Sequence, residues 1–232
     1  ISQMIRFGDF IKQPVIHEPP SQKHKLMMRR PTPMFPDAKN IKLEPPPKLS
    51  SPTTKIELDE VRDAMIMSDE KLEYLRDLDK NYMKMMSEIV GGEMDLIEEI
   101  KRQIDTTTLN MKYSFNRLRP RETAKYYGET LKPLVKVDTP GYPSNHTAVG
   151  ETIAGILSRK YPQFKKELEK VANDNSISRV ELGVHFMSDV EAGKELAEQL
   201  LNKYQPEEEL VKPKKQYRYG DLPAPVYGKE AY

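Results

Sequence analysis

Three short blocks in the middle of the chain combine residue types suited to holding a tetrahedral anion. The first pairs Lys112 with Arg119-Pro120. The second is Pro143-Ser144-Asn145-His146. The third runs from Ser178-Arg179 through His185 to Asp189. Lys112, Arg119 and Arg179 supply three positive charges. A guanidinium matches two phosphate oxygens as a fork, while an ammonium acts as a point charge. Ser144 adds a hydroxyl, and the turn at 144–146 precedes a helical run, so backbone N–H groups there can face an anion. No carboxylate-rich metal site accompanies this cradle in the sequence.

His185 and Asp189 are four apart, about one turn if that stretch is helical. A carboxylate bonded to one ring nitrogen fixes the tautomer and leaves the other nitrogen free to attack. His146, at a helix start, can donate a proton to a leaving oxygen. Each block has a plain alternative. The first is a basic stretch before a Pro turn, the second a capped helix start, the third a surface helix. Their joint occurrence favours chemistry. The other two histidines, His17 and His24, fall in a Pro-rich stretch and are expected to be solvated.

The elements that must position these residues read as helices. Ile56, Leu58, Val61 and Met65 recur near the helical period, as do Leu72, Leu75, Leu78, Tyr82, Met85 and Met86 before Gly91-Gly92. A third stretch carries Met94, Leu96, Ile97, Ile100 and Ile104, and a short one at 121–128 stops at Gly128. Residues 133–145 read as a loop with Pro133, Pro140, Gly141 and Pro143. Helical stretches are expected over 146–160, 163–173 and 188–203. No period-two alternation marks a strand. The Met-rich stripe reads as core filling.

Residues 1–54 form a Pro-rich extended arm in this reading, since Pro removes backbone donors. Its apolar clusters, Met4 to Ile11, Leu26 to Met28, and Met34-Phe35, suggest anchoring on another subunit or partner. Residues 55–204 form the all-α domain, and 205–232 an extended tail. With 37 basic and 36 acidic residues the net charge is +1, so no generic nucleic-acid footprint is expected. Cys is absent, which excludes disulfides and thiolate chemistry. No apolar run is long enough to span a bilayer. The chain is expected to be soluble, either cytoplasmic or particle-associated, or periplasmic if a leader was removed.

The blocks resemble the signature of the PAP2 phosphatase superfamily, which includes bacterial class A acid phosphatases and vanadium haloperoxidases: Lys-x6-Arg-Pro, Pro-Ser-Gly-His, and Ser-Arg-x5-His-x3-Asp. The wording DTPGYPSNHT and GVHFMSDVEAG is most similar to the soluble class A enzymes. The resemblance implies an all-α, haloperoxidase-like helical bundle and metal-independent hydrolysis of a small phosphate monoester, with no cofactor. His185 would become phosphorylated, Asp189 would orient it, and His146 would protonate the leaving alcohol. Lys112, Arg119, Ser144, Asn145 through its backbone, and Arg179 would hold the phosphate. Asn145 departs from the pattern, which has Gly there, and Asn is expected to tolerate a left-handed backbone. Two other functions fit the same residues. One is a structural or assembly subunit, as in a phage particle or homo-oligomer, with residues 1–54 binding neighbours. The other is a vanadium-dependent haloperoxidase.

Overall fold

The computed structural model describes residues 17–206. All regular elements among them are helical, as expected. After a short helix α1 (Gln22–Met27) come α2 (Pro52–Ala64), α3 (Asp69–Ile89), α4 (Met94–Phe115), α5 (Pro120–Tyr126), α6 (Asn145–Lys160), α7 (Lys165–Glu181) and α8 (Met187–Lys203). Their starts follow local chemistry. Ser51, Ser68 and Ser144 each accept a backbone N–H of the first turn, and Pro52 and Pro120 occupy first helical positions where no donor is needed. No helix among the described residues is long and apolar enough to cross a membrane.

Helix α6 is the hub, packing against α3, α4, α7 and α8. It buries residues on nearly every face, including Ala148, Val149, Ile153 and Leu157. The main core joins these to Leu78, Tyr82 and Met86 of α3, Ile97, Ile100 and Ile104 of α4, and Leu196 and Leu200 of α8. Two smaller clusters flank one end of it. Leu58, Val61, Val180, Phe186 and Val190 form one, and Leu75, Leu182 and Val184 the other.

Three differences from the sequence reading have physical causes. Helix α7 continues to Glu181, beyond the expected 173, and so carries Ser178 and Arg179 on its last turns. Gly183, at φ +73°, then reverses the chain, so His185 sits in the loop before α8 rather than on a helix with Asp189. Finally, the boundary expected between 54 and 55 runs through chain that packs together. Met34 and Phe35 are fully buried in the main core, and Ala38, Ile41 and Leu43 join them. These anchors are covered by the chain's own helices, with Gln205 N donating to Met34 O and the Phe35 ring 5.8 Å from that of Tyr204. Met4 to Ile11 and nearly all of the expected tail lie outside the described residues.

Helix α8 crosses the start of α6 so closely that only glycine fits at 193. A Cβ there would stand 2.8 Å from Ser144 O and 2.8 Å from Thr147 Cβ. Gly193→Ala should therefore push α8 off the α6 start, lowering stability by about 1–3 kcal/mol despite alanine's better helix propensity. Thermal unfolding followed by circular dichroism checks this. An unchanged melting temperature would contradict the packing.

Candidate active site

The residues of the three blocks converge, although separate segments supply them. Lys112 comes from the last turn of α4, which Asn116 ends at φ 52°, and Arg119 caps α5. Ser144 caps α6, Asn145 and His146 begin it, and Arg179 lies on the last turn of α7. His185 lies in the loop between the two small apolar clusters, where Val184 and Phe186 pin its neighbours. Backbone bonds tie the segments: His185 N donates to Arg179 O at 3.2 Å and Ser144 N to Asp189 O at 2.9 Å.

His185 Nδ1 stands 3.1 Å from Asp189 Oδ2, and Nε2 stands 3.0 Å from an Arg119 guanidinium nitrogen. An arginine only donates, so Nε2 accepts and Nδ1 carries the proton given to Asp189. Asp189 Oδ2 also accepts Phe186 N at 3.0 Å, capping α8. The His–Asp contact thus arises from a helix cap, not from one turn of a shared helix. Burial and the Arg119 charge hold the His185 pKa well below 6.5, against the opposing pull of Asp189. The ring is neutral, with its lone pair on Nε2.

Lys112 is buried and donates to Pro140 O at 2.8 Å and Gly141 O at 3.1 Å. No carboxylate among the described residues is in ion-pair contact with it. Burial, then Arg119 and Arg179, push its pKa well below the usual value. Arg119 spends its donors on Thr139 O (2.6 Å), Thr139 Oγ1 (3.1 Å) and Val184 O (2.7 Å). Burial lowers even its pKa to about 10. Arg179, 1% exposed, meets Asp79 of α3 and keeps Nε buried with no partner. The Ser144 hydroxyl accepts from Thr147 Oγ1 at 2.9 Å.

His146 Nε2 lies 3.3 Å from the same Asp79. Burial and the Arg179 charge lower its pKa to about 4, outweighing Asp79. Asn145 is the first residue of α6, outside the left-handed region, so the expected conformational role falls away. Its side chain instead donates to Asp105 Oδ1 at 2.9 Å, bracing the α6 start against α4.

Sequence reasoning missed a second layer of charges. Arg117 donates to Asp189 Oδ1 (2.5 Å), Ser188 Oγ (2.7 Å) and Glu57 Oε2 (2.9 Å), with its guanidinium 4.4 Å from the Phe186 ring centre. Burial opposes ionisation of Asp189, but Arg117 and His185 outweigh it and hold the carboxyl well below its usual range. Asp79 is held down likewise by His146 and Arg179 against burial. Nothing local distinguishes Asp79 or Glu57 from solvated helix charges. The expectation for the other histidines is also corrected. His17 Nε2 is buried, and His24 Nδ1 lies 2.8 Å from Tyr113 OH, because the segment carrying both folds back along α4.

Residues 103–197 match the family profile of the PAP2 superfamily. A non-specific acid phosphatase of Salmonella typhimurium is 43% identical over 53 residues, which is 23% of this chain and 21% of that protein. One from Providencia stuartii is 34% identical over 97 residues, 40% of this chain and 38% of that protein. The chain therefore aligns with well under half the length of these relatives. Among solved structures, a holo-type bacterial vanadium-dependent chloroperoxidase matches with a TM-score of 0.62 at 16% identity, over 76% of this chain and 52% of that one. A transmembrane PAP2 type phosphatidylglycerolphosphate phosphatase from Bacillus subtilis matches at 0.50 and 20% identity, over 73% and 92%. Both likenesses show a shared fold.

The site makes stability depend on pH with a definite sign. His146 and His185 have folded pKa values below the ordinary 6.5, so the folded chain binds fewer protons than the unfolded one as pH falls through that value. Asp79 and Asp189 extend the loss below about pH 4, where free carboxylates protonate. Melting temperature should fall steadily from pH 7 to 4, as read by differential scanning calorimetry. A rise over that interval would contradict the lowered pKa values of the two imidazoles.

Proposed function

The chain belongs to the PAP2 superfamily, and from that premise we propose that it hydrolyses phosphate monoesters through a phosphohistidine on His185. The observation that carries this reading is a neutral imidazole held beside three buried cations that lack sufficient counter-charge. Lys112 meets only carbonyls, and Arg179 leaves Nε unpartnered. A phosphate dianion would supply the missing acceptors. The acid phosphatase matches favour this chemistry over peroxidase chemistry, because the haloperoxidase likeness is one of fold.

Arg119 donates to the nitrogen that must attack. Binding an ester would turn that donor from Nε2 to a phosphate oxygen, freeing the lone pair in the same movement. Nε2 then attacks phosphorus as the P–O bond to the leaving alcohol breaks. Asp189, hydrogen-bonded to Nδ1–H, steadies the positive ring that results. Lys112, Arg119, Arg179, the Ser144 hydroxyl and the Asn145 backbone N–H hold the equatorial oxygens, where negative charge is spread in the transition state. His146 gives its proton to the leaving oxygen. In the second step it takes one from the water that releases phosphate. Asp79 positions His146 and Arg179 together.

His185→Ala should cut turnover of p-nitrophenyl phosphate at least about 10³-fold, the order expected for loss of a nucleophile that works as a unit with its neighbours. Activity within tenfold of wild type would end the phosphohistidine reading.

The pH dependence follows from His146. Its pKa is about 4, so at neutral pH the leaving-group proton is largely absent. Bound phosphate raises this pKa by adding negative charge nearby. A profile of kcat against pH, which reports the groups of the substrate complex, should therefore peak on the acid side of neutrality and decline above it. A profile flat between about pH 4 and 9 would exclude His146 as the acid.

A further inference from the structure

Helix α2 lies outside the residues that match the family profile, yet it packs against the neighbours of the nucleophile. Leu58 and Val61, both fully buried, share a cluster with Phe186 and Val190, the residues next to His185 and Asp189. One position before Leu58 stands Glu57, whose side chain is 9% exposed. Both of its carboxylate oxygens are engaged. Oε1 accepts Ser188 N, in the first turn of α8, at 2.8 Å, and Oε2 accepts Arg117 Nη2 at 2.9 Å. Arg117 Nη1 donates in turn to Asp189 Oδ1 at 2.5 Å and to Ser188 Oγ at 2.7 Å. With the Phe186 ring against its face, the plane of this guanidinium is fixed by Glu57, Asp189, Ser188 and Phe186 together.

The consequence falls on Asp189. Its Oδ1 is committed to Arg117, so Oδ2 serves His185 Nδ1 at 3.1 Å, with Phe186 N on the same oxygen. A carboxylate gripped at both oxygens cannot rotate, and the ring that donates to it cannot swing. A line of buried groups therefore runs from α2 to the attacking ring, from Glu57 through Arg117 and Asp189 to His185. Groups behind a reacting residue set its orientation in this way, and a displacement of about 1 Å can cost about 10²-fold in rate. Glu57 also balances charge. Arg117 faces two carboxylates, so its pull is divided between them. Without Glu57 that pull would fall on Asp189 alone, which would then do less to steady the positive ring formed on attack.

We propose that Glu57 is a positioning residue for the phosphoryl transfer, acting on His185 only through Arg117 and Asp189. The inference rests on the phosphatase reading above, and it extends the machinery to a helix that none of the three blocks reaches. A Glu57 that merely tied α2 to Ser188 would set stability and leave turnover of the folded protein alone.

Steady-state hydrolysis of p-nitrophenyl phosphate by the full chain separates the two, with circular dichroism to check folding. Glu57→Gln keeps the size and an acceptor for Ser188 N but removes the charge facing Arg117. It should lower kcat about 10–100-fold while KM stays within about threefold. Arg117→Lys keeps a charge but loses the fork that bridges both carboxylates, and should lower kcat about as much. In an Asp189→Asn background, Glu57→Gln should cost less than about twofold more, because the link it acts through is already broken. Asp59→Asn, at an exposed position of the same helix, should leave kcat within about twofold. The proposal is overturned by a folded Glu57→Gln protein whose kcat stays within about threefold of wild type, or whose loss is carried by KM. The full further loss in the Asp189→Asn background, or an equal loss in Asp59→Asn, would overturn it too. Should Glu57→Gln not fold, a near-wild-type kcat in Arg117→Lys does the same. Each of these results leaves the phosphatase reading intact, whereas a wild type that does not hydrolyse the ester would overturn both.

Discussion

Mutual repulsion among Lys112, Arg119 and Arg179 is the constraint around which this site is built. All three are buried; Arg119 and Arg179 both lower the ionisation of Lys112, and Arg179 also lowers that of Arg119. Taking an ion out of water costs several kcal/mol even after relaxation. Among the described residues only Arg179 has a carboxylate in direct contact, and the other two are met by main-chain carbonyls, a threonine hydroxyl and the His185 ring. Such partners satisfy donors without cancelling charge. The fold therefore holds a positive potential in a dry place, and an anion with several oxygens relieves it.

Holding like charges together needs rigid supports that pull in opposite directions. Arg117, itself held by Glu57, grips Asp189 Oδ1 while His185 meets Oδ2, and Asp79 joins Arg179 to His146. A buried ion network of this kind adds little net stability, because desolvation offsets attraction. Its effect is positional: each carboxylate has one geometry that serves both partners. The apolar clusters around Val184 and Phe186 do the same for the backbone, leaving His185 little freedom between them. Gly193 lets α8 approach α6 closely enough for Asp189 O to receive Ser144 N. Packing and electrostatics thus fix the same few atoms.

The N-terminal segment shows two kinds of attachment. Met34 and Phe35 are set into the main core like any helical residue, while residues 17–30 rest on α4 through polar groups. The family profile begins only at residue 103, so this segment, α2 and α3 lie outside it, yet α2 and α3 supply Glu57 and Asp79 to the site.

Much was legible in the chain itself. Helical periodicity, Ser caps and Pro breaks are local signals, and they placed the helix that His146 opens and the stretch through Ile104 that continues to Lys112. The three blocks named the charged and imidazole groups because their chemistry is written in residue type and short spacing. Local signals could not show where α7 ends, that His185 meets Asp189 through a cap, or that Asn145 is helical, since each depends on the reversal at Gly183 and on contact between α6, α7 and α8. Nor could they single out Asp79, Glu57 and Arg117. On paper these are ordinary polar residues on helices or in a turn. Only the folded chain, by removing water from around the buried cations, decides which polar groups must answer that charge.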